Sequence, residues 1–274
     1  MVGIAVHIGS QILALAPFRD AFVRTRDLVA MLRADGHIVD RIDLGGGLGV
    51  PYDGAATPAP SPADYGALAR EIFGDLGCKL VFEPGRVLVG NAGVLVARVL
   101  YVKEGATRTF VVVDAAMNDL IRPALYDAFH AIWPVKQPAA GAATREDDVV
   151  GPICETGDTF ASQRALPPLK EGDLVVFRTA GAYGAVMSSA YNTRPPAAEV
   201  LVKGKQAVAV KRRQTVAELF AGEVVPAWLG RPKTRTAAGK KKPSRPGKTA
   251  PKAARKKAPA RARKKGKAPT RRKR

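Results

Sequence analysis

The 274-residue chain is poor in the features that staple or anchor a fold. It has two cysteines, too few for a disulfide framework and in keeping with a reducing compartment. No apolar run approaches the roughly 18 residues that a membrane helix needs. The opening Met-Val-Gly-Ile-Ala-Val-His-Ile-Gly-Ser lacks the basic region and cleavage pattern of a signal peptide. A cytoplasmic protein away from membranes is therefore expected, and no metal site is. Acid is missing altogether from residues 231–274, which hold 21 Lys and Arg and no aliphatic or aromatic side chain larger than that of Ala. Such a segment cannot bury enough apolar surface to offset its ordering entropy, and the composition predicts disorder. The first 230 residues keep 23 of the 44 basic groups against all 24 acidic ones, so the net charge of +20 belongs to the tail. A hydrophobic content of 46% excludes a collagen-like or wholly disordered chain.

What is present reads first as repeated βα units. Val2 to Ile8 and Ile38 to Leu44 are apolar, β-branched runs, predicted as strands buried on both faces as in a parallel sheet; Lys79 to Glu83 is a third strand. A helix is expected over Arg19 to Asp35, stopped by Gly36. Another starts at Ser61-Pro62-Ala63-Asp64, where Ser caps and Pro takes the first helical position, and runs to about Leu76. From Val87 on the pattern changes. Val94–Lys103, Thr109–Asp114, Asp148–Cys154, Asp173–Ala180 and Glu199–Val202 are short β-rich runs between Gly, Pro and Asp turns, with a closing helix at Thr215 to Phe220. These spacings predict an all-β sandwich or barrel after an α/β part, with boundaries at 1–88, 89–230 and a tail at 231–274.

In parallel α/β folds the chemistry sits at the C-terminal ends of strands. Here those ends carry His7 and Ser10, then Gly45-Gly46-Gly47, then Glu83-Pro84-Gly85-Arg86. A glycine triplet lets backbone approach a ligand and present N–H groups to an anion, although a tight βα turn explains it as well. His7 read alone is commonly a packed residue, and Ser10 a helix cap. Glu83 and Arg86 at a strand mouth form either a structural ion pair or part of a site.

Six stretches occur in order: HIGSQ (His7–Gln11), DLGGGLGVPY (Asp43–Tyr52), EPGRVLVGNAG (Glu83–Gly93), DAAMNDLIRPALYDAFH (Asp114–His130), GPICETGD (Gly151–Asp158) and GAYGAVMSSAYNTRPP (Gly181–Pro196). Together, over roughly residues 3 to 220, they resemble the PLP-dependent decarboxylases of the alanine-racemase-like fold. Cys154-Glu155 is similar to the branch acting on meso-2,6-diaminopimelate rather than on ornithine. The resemblance implies the C-terminal half of a PLP-binding (β/α)8 barrel followed by a β domain, and decarboxylation of meso-diaminopimelate to L-lysine.

It also implies roles. His7 would stack on the pyridine ring of pyridoxal 5'-phosphate. Ser10, the Gly45, Gly46 and Gly47 turn and the main chain at Gly85 and Arg86 would hold its phosphate. Glu83 would pair with the pyridine nitrogen, and Tyr183 would reach both phosphate and substrate. Arg86, Arg122 and Tyr126 would bind the distal carboxylate, Arg122 and Tyr126 sharing a face if that loop is helical. Glu155 would accept the distal ammonium, and Cys154 would deliver the proton that replaces CO2, both acting across a homodimer with shared sites. Taken alone, Cys154 could be a buried thiol and Arg122 a solvated surface group; Cys78 has no motif around it and is read as an ordinary thiol.

Two departures stand against the family pattern. Ala116 replaces the usual Gly of DAGMND. No YAVKAN-like segment supplies the lysine that anchors PLP; the look-alike Tyr101-Val102-Lys103-Glu104 lies in the β part. Two expectations follow. One is an N-terminally truncated or split enzyme, inactive as an isolated piece. The other is a non-catalytic remnant whose basic tail at 231–274 binds nucleic acid or another polyanion without sequence preference.

Overall fold

The computed structural model describes residues 2–54 and 56–230; the basic tail lies outside the described residues. Strand β1 (Gly3–Ala5) leads into helix α1 (Ala16–Ala34), then β2 (Arg41–Asp43), α2 (Pro62–Phe73) and β3 (Lys79–Val81), with the short helix α3 (Arg86–Val89) immediately after. The three strands are parallel, in the order β1-β2-β3. Helix α2 starts as its sequence requires: Ser61 and Asp64 form a reciprocal capping box, with Pro62 at the first position. Helix α1 stops at Asp35, and Gly36 takes φ +85°, a conformation open to glycine.

The strands are shorter and more open than expected. Val2, Ile8, Ile38 and Phe82 are exposed, so none of the three is buried on both faces. The register shows why. Ile4, Ile42 and Leu80 stand in one row, on the face that packs against Phe18, Phe22, Tyr65, Leu68 and Phe73 of α1 and α2. Its neighbouring rows hold Arg41 with Lys79 and Asp43 with Val81, and side chains alternate between faces. Charge on the second face leaves the helices covering only the first.

The second part begins with β4 (Leu95–Glu104) and β5 (Thr109–Val113), followed by helix α4 (Arg122–Tyr126), β6 (Ile132–Pro134), β7 (Arg145–Val150), β8 (Thr159–Leu166) and β9 (Leu174–Phe177). These strands form one six-stranded sheet ordered β6-β9-β4-β5-β7-β8, antiparallel except for the β5–β7 pair. Its core gathers Val99, Val111, Val113, Leu120, Val149 and Phe177, all at 1% exposure or less. The run expected to reach Cys154 stops at Val150: Gly151 to Gly157 form a turn closed by Gly151 N–H on the Asp158 carbonyl. A separate hairpin, β10 (Glu199–Lys203) with β11 (Gln206–Lys211), is exposed along most of its length, and helix α5 (Val216–Leu219) is capped by Thr215 and Glu218. Residues 224–230 lie in a second unit, in which Ala227–Leu229 make a single 3-10 turn. Among the described residues no helix is long and apolar enough to cross a membrane.

Candidate functional site

A cavity of about 980 Å³ is lined from the α/β part by Ser10, Gln11, Tyr52 and Arg86, and from the β part by Arg122, Tyr126, Phe129 and Tyr183. Arg86 opens α3 behind Gly85, which fixes where its guanidinium leaves the backbone. That guanidinium donates to the Tyr52 hydroxyl and, at 3.0 Å, to Ser10 Oγ, while its Cζ lies 4.7 Å from the centre of the Tyr183 ring. Its Nε is buried with no hydrogen-bond partner among the described residues. Tyr183 is held at φ +57°, a conformation a tyrosine adopts only when its surroundings impose it. A Cβ on Gly85 would stand 3.1 Å from the Tyr183 hydroxyl, so glycine keeps that approach open.

Arg122 is the first residue of α4 and only 6% exposed, not a solvated surface group. Its Cζ sits 4.5 Å over the Tyr52 ring, and Nη1 is 2.8 Å from His130 Nε2. Burial, reinforced by Arg86, holds its pKa below the usual guanidinium value although Tyr52 opposes the effect. The loop is helical, the condition under which Arg122 and Tyr126 share a face, and both side chains face the cavity. No carboxylate forms an ion pair with Arg86 or Arg122 among the described residues. A structural Glu83–Arg86 pair is therefore absent, and Arg86 turns to Ser10 and Tyr52 instead. Asp53 also lines the cavity, but its carboxylate accepts from the Thr57 hydroxyl and amide, which hold its pKa low.

The glycine turn is a tight junction between the three strand ends. A Cβ on Gly45 would meet the Val6 carbonyl oxygen at 2.5 Å, on Gly46 that of Glu83 at 2.3 Å, and on Gly47 that of Gly9 at 2.4 Å. Its N–H groups are mostly spent inside the protein: Gly45 donates to Asp43 Oδ1 at 2.8 Å and Gly46 to His7 Nδ1 at 3.3 Å. Only Gly47 N–H lacks a partner among the described residues, so the triplet is not the three-donor nest its sequence suggested. His7 and Glu83 are exposed at the same strand ends.

Cys154 and Glu155 do not join the cavity of their own chain. Both are exposed on the turn after β7, where Glu155 Oε1 accepts from Gly157 N–H at 3.0 Å. Cys154 is thus not a buried thiol. Cys78, half-buried, accepts from Arg33 and donates to the Val39 carbonyl. Ala116 replaces glycine without strain, since its φ is negative. Tyr52 and His130, the residues that join the two guanidiniums into one site, received no role from the sequence although both end conspicuous motifs.

A family described as pyridoxal-dependent decarboxylase, C-terminal sheet domain, matches residues 20–181. The chain belongs to the pyridoxal-dependent decarboxylase family. It is 48% identical over 227 residues to a diaminopimelate decarboxylase of Zymomonas mobilis, covering 83% of this chain and 53% of that protein. It is 52% identical over 223 residues to one of Pseudomonas aeruginosa, covering 81% and 52%. The crystal structure of the M. jannaschii diaminopimelate decarboxylase in complex with L-lysine superposes with a TM-score of 0.78 at 34% identity, covering 83% of this chain and 53% of that one. The chain thus spans about half the length of these relatives.

Proposed function

We propose that the chain supplies part of a PLP-dependent enzyme that removes CO2 from meso-2,6-diaminopimelate to give L-lysine. One observation carries this: two guanidiniums, Arg86 and Arg122, stand on Tyr52 with no carboxylate against them among the described residues. Holding unneutralised cations in a part-buried site is costly, and the arrangement is favourable once an anion enters. The residues fit PLP: among the described residues Arg86 Nε is buried and unpartnered, the Gly47 N–H has no partner, and the exposed Glu83 has no ion-pair partner. When bound, PLP supplies a ring that takes up the electron pair left by CO2.

The chain's own residues divide the remaining work. Ser10, the glycine turn through its Gly47 N–H, and the main chain at Gly85 and Arg86 would hold the phosphate, and Tyr183 would hydrogen-bond to it. His7 would stack on the ring, and Glu83 would pair with its nitrogen and keep it protonated. Arg122 with Arg86 and Tyr126 takes the distal carboxylate through a guanidinium fork. The assembly is a homodimer in which Glu155 receives the distal ammonium and the Cys154 thiol gives a proton to the carbon that loses CO2, both in the partner's cavity. Their position outside their own cavity supports this. Residues 1–88 form part of a (β/α)8 barrel, 89–230 a β-barrel or sandwich, and the basic segment at 231–274 binds nucleic acid or another polyanion.

Titration of the 274-residue chain with PLP, followed by calorimetry with L-lysine and with 1,5-diaminopentane, tests the central claim, because L-lysine keeps the distal carboxylate of the substrate and 1,5-diaminopentane lacks it. Arg122→Ala should erase the preference for L-lysine over 1,5-diaminopentane, a loss of about a hundredfold, and leave the PLP absorbance in place. Loss of PLP binding in that variant would move Arg122 to a structural role.

A further inference from the structure

His130 is 1% exposed and lies after the left-handed residue Asp127 that ends α4. Its ring meets Tyr52 edge-on, with centroids 5.0 Å apart and planes at 85°. Backbone contacts hold it from several sides: the neighbouring Ala131 N–H donates to the Tyr52 carbonyl, and Arg164 Nη1 donates to the His130 carbonyl at 2.8 Å. The imidazole itself has two polar contacts. Nδ1 is 2.8 Å from the Arg178 carbonyl oxygen, and Nε2 is 2.8 Å from Arg122 Nη1. A carbonyl only accepts and a guanidinium only donates. One arrangement satisfies both: a neutral ring with its proton on Nδ1 and its lone pair on Nε2 aimed at Arg122.

We infer that His130 is a positioning residue for Arg122, a neutral acceptor that aims the guanidinium at a substrate carboxylate without cancelling its charge. The inference rests on the reading of Arg122 as the group that takes that carboxylate. The choice of imidazole follows from what the position demands. An aspartate or glutamate there would orient Arg122 equally well, but it would pair with the guanidinium and compete with the ligand. An apolar ring would fill the space and leave one guanidinium N–H buried and unsatisfied. The imidazole supplies direction alone. Tyr52, between Arg122 and Arg86, then acts as a shared floor, and the two cations keep their charge for the ligand.

Three substitutions separate aim, charge and volume. His130→Gln places an amide oxygen where Nε2 stood, His130→Glu places a carboxylate there, and His130→Phe keeps the ring without the acceptor. In the PLP-loaded 274-residue chain, the affinity ratio of L-lysine, which keeps the distal carboxylate, to 1,5-diaminopentane, which lacks it, should fall about tenfold or more in His130→Phe and stay near wild type in His130→Gln. In His130→Glu the ratio should fall as far as in His130→Phe while crystals show Arg122 still over Tyr52. A purely structural role predicts no such split between Gln and Glu. Combined with Arg122→Ala, none of the three should change the ratio further, because His130 acts through Arg122. The inference is overturned if His130→Phe keeps the wild-type ratio, or if it lowers the ratio equally in the Arg122→Ala background. If Arg122→Ala itself leaves the ratio untouched, the reading of Arg122 is wrong. The position of the Arg122 guanidinium in crystals of His130→Phe then decides alone: an unmoved guanidinium overturns the positioning role as well.

Discussion

Replacing Asp158 by alanine should unfasten the turn that carries Cys154 and Glu155. Asp158 is 3% exposed, and its two carboxylate oxygens accept from different segments: Oδ1 from Met117 N–H at 2.6 Å, Oδ2 from Ile153 N–H at 2.7 Å. The carboxylate is seated against Gly151, where a Cβ would lie 2.2 Å from Oδ2. It therefore ties the Asp114–Asp119 loop to the Cys154 turn. Burial pushes its pKa up from the ordinary carboxylate range, and the two amides oppose that only in part. In Asp158→Ala both N–H groups lose their acceptor inside the protein, at about 1–3 kcal/mol each. Relief of the buried charge offsets some of this, leaving a net destabilisation of about 2–4 kcal/mol. For a body of this size that lowers Tm by roughly 10 °C. Asp158→Asn keeps one acceptor and should fall between the two. Thermal melts give the stability, and amide exchange at Met117 and Ile153 gives the local effect, which should be lost protection at both. A change below about 0.5 kcal/mol, the level of an ordinary surface substitution, with both amides still protected, would refute the assignment of this carboxylate as the fastener.

What could be read in the sequence depended on how local its cause was. Helix α2 was visible because Ser61, Pro62 and Asp64 are adjacent and their capping geometry needs nothing else. The extent of the first three strands was not. Ile38, Phe82 and Val2 look like core but stand exposed, because burial is decided by which face of the sheet the helices cover. Strand β8 went unseen since Thr-Phe-Ala-Ser-Gln-Arg-Ala-Leu breaks alternation, with Gln163 at φ +47° and register shifts against β7. Strand β6 is three residues ending in proline at a sheet edge, too short to carry a period. At the site, Arg86, Arg122, Tyr126, Tyr183 and Ser10 all line the cavity, each having stood in a motif with a readable chemical type. Tyr52 and His130 come from motifs far apart in the chain, and their partnership through Arg122 exists only after folding. The fate of the Gly45 and Gly46 N–H groups was hidden for the same reason: their acceptors are side chains that only the folded turn brings to them.

Two further predictions concern charge. With 21 basic and no acidic residues in 231–274, binding of the chain to duplex DNA should weaken steeply with salt and vanish when that segment is removed. Binding that persists without it, or that ignores salt, would exclude the segment as the cause. The second prediction follows from the buried imidazole. Burial, joined by Arg122, Arg86 and Arg164, pushes the His130 pKa from 6.5 down to about 4 although the Arg178 carbonyl favours the protonated ring. The unfolded chain has no such constraint and takes up the proton near the ordinary value. The folded pKa is the lower one, so between pH 6.5 and 4 the unfolded state binds more protons than the native state. Stability from the neutral ring is fully present above about pH 6.5 and is lost progressively as pH falls through about 4, a total of about 3 kcal/mol from this residue. Asp119 and Asp158, whose pKa values are raised by burial, change stability in the opposite direction on acidification. Their effect cancels when wild type is compared with His130→Gln, which keeps the acceptor for Arg122 but cannot titrate. The unfolding free energy of wild type minus that of His130→Gln should therefore be flat above pH 6.5 and decline by about 3 kcal/mol on the way to pH 4. A difference that stays level over that range would mean that the ring accepts a proton in the folded protein as readily as in the unfolded one, which two donors facing each other at Arg122 would not allow.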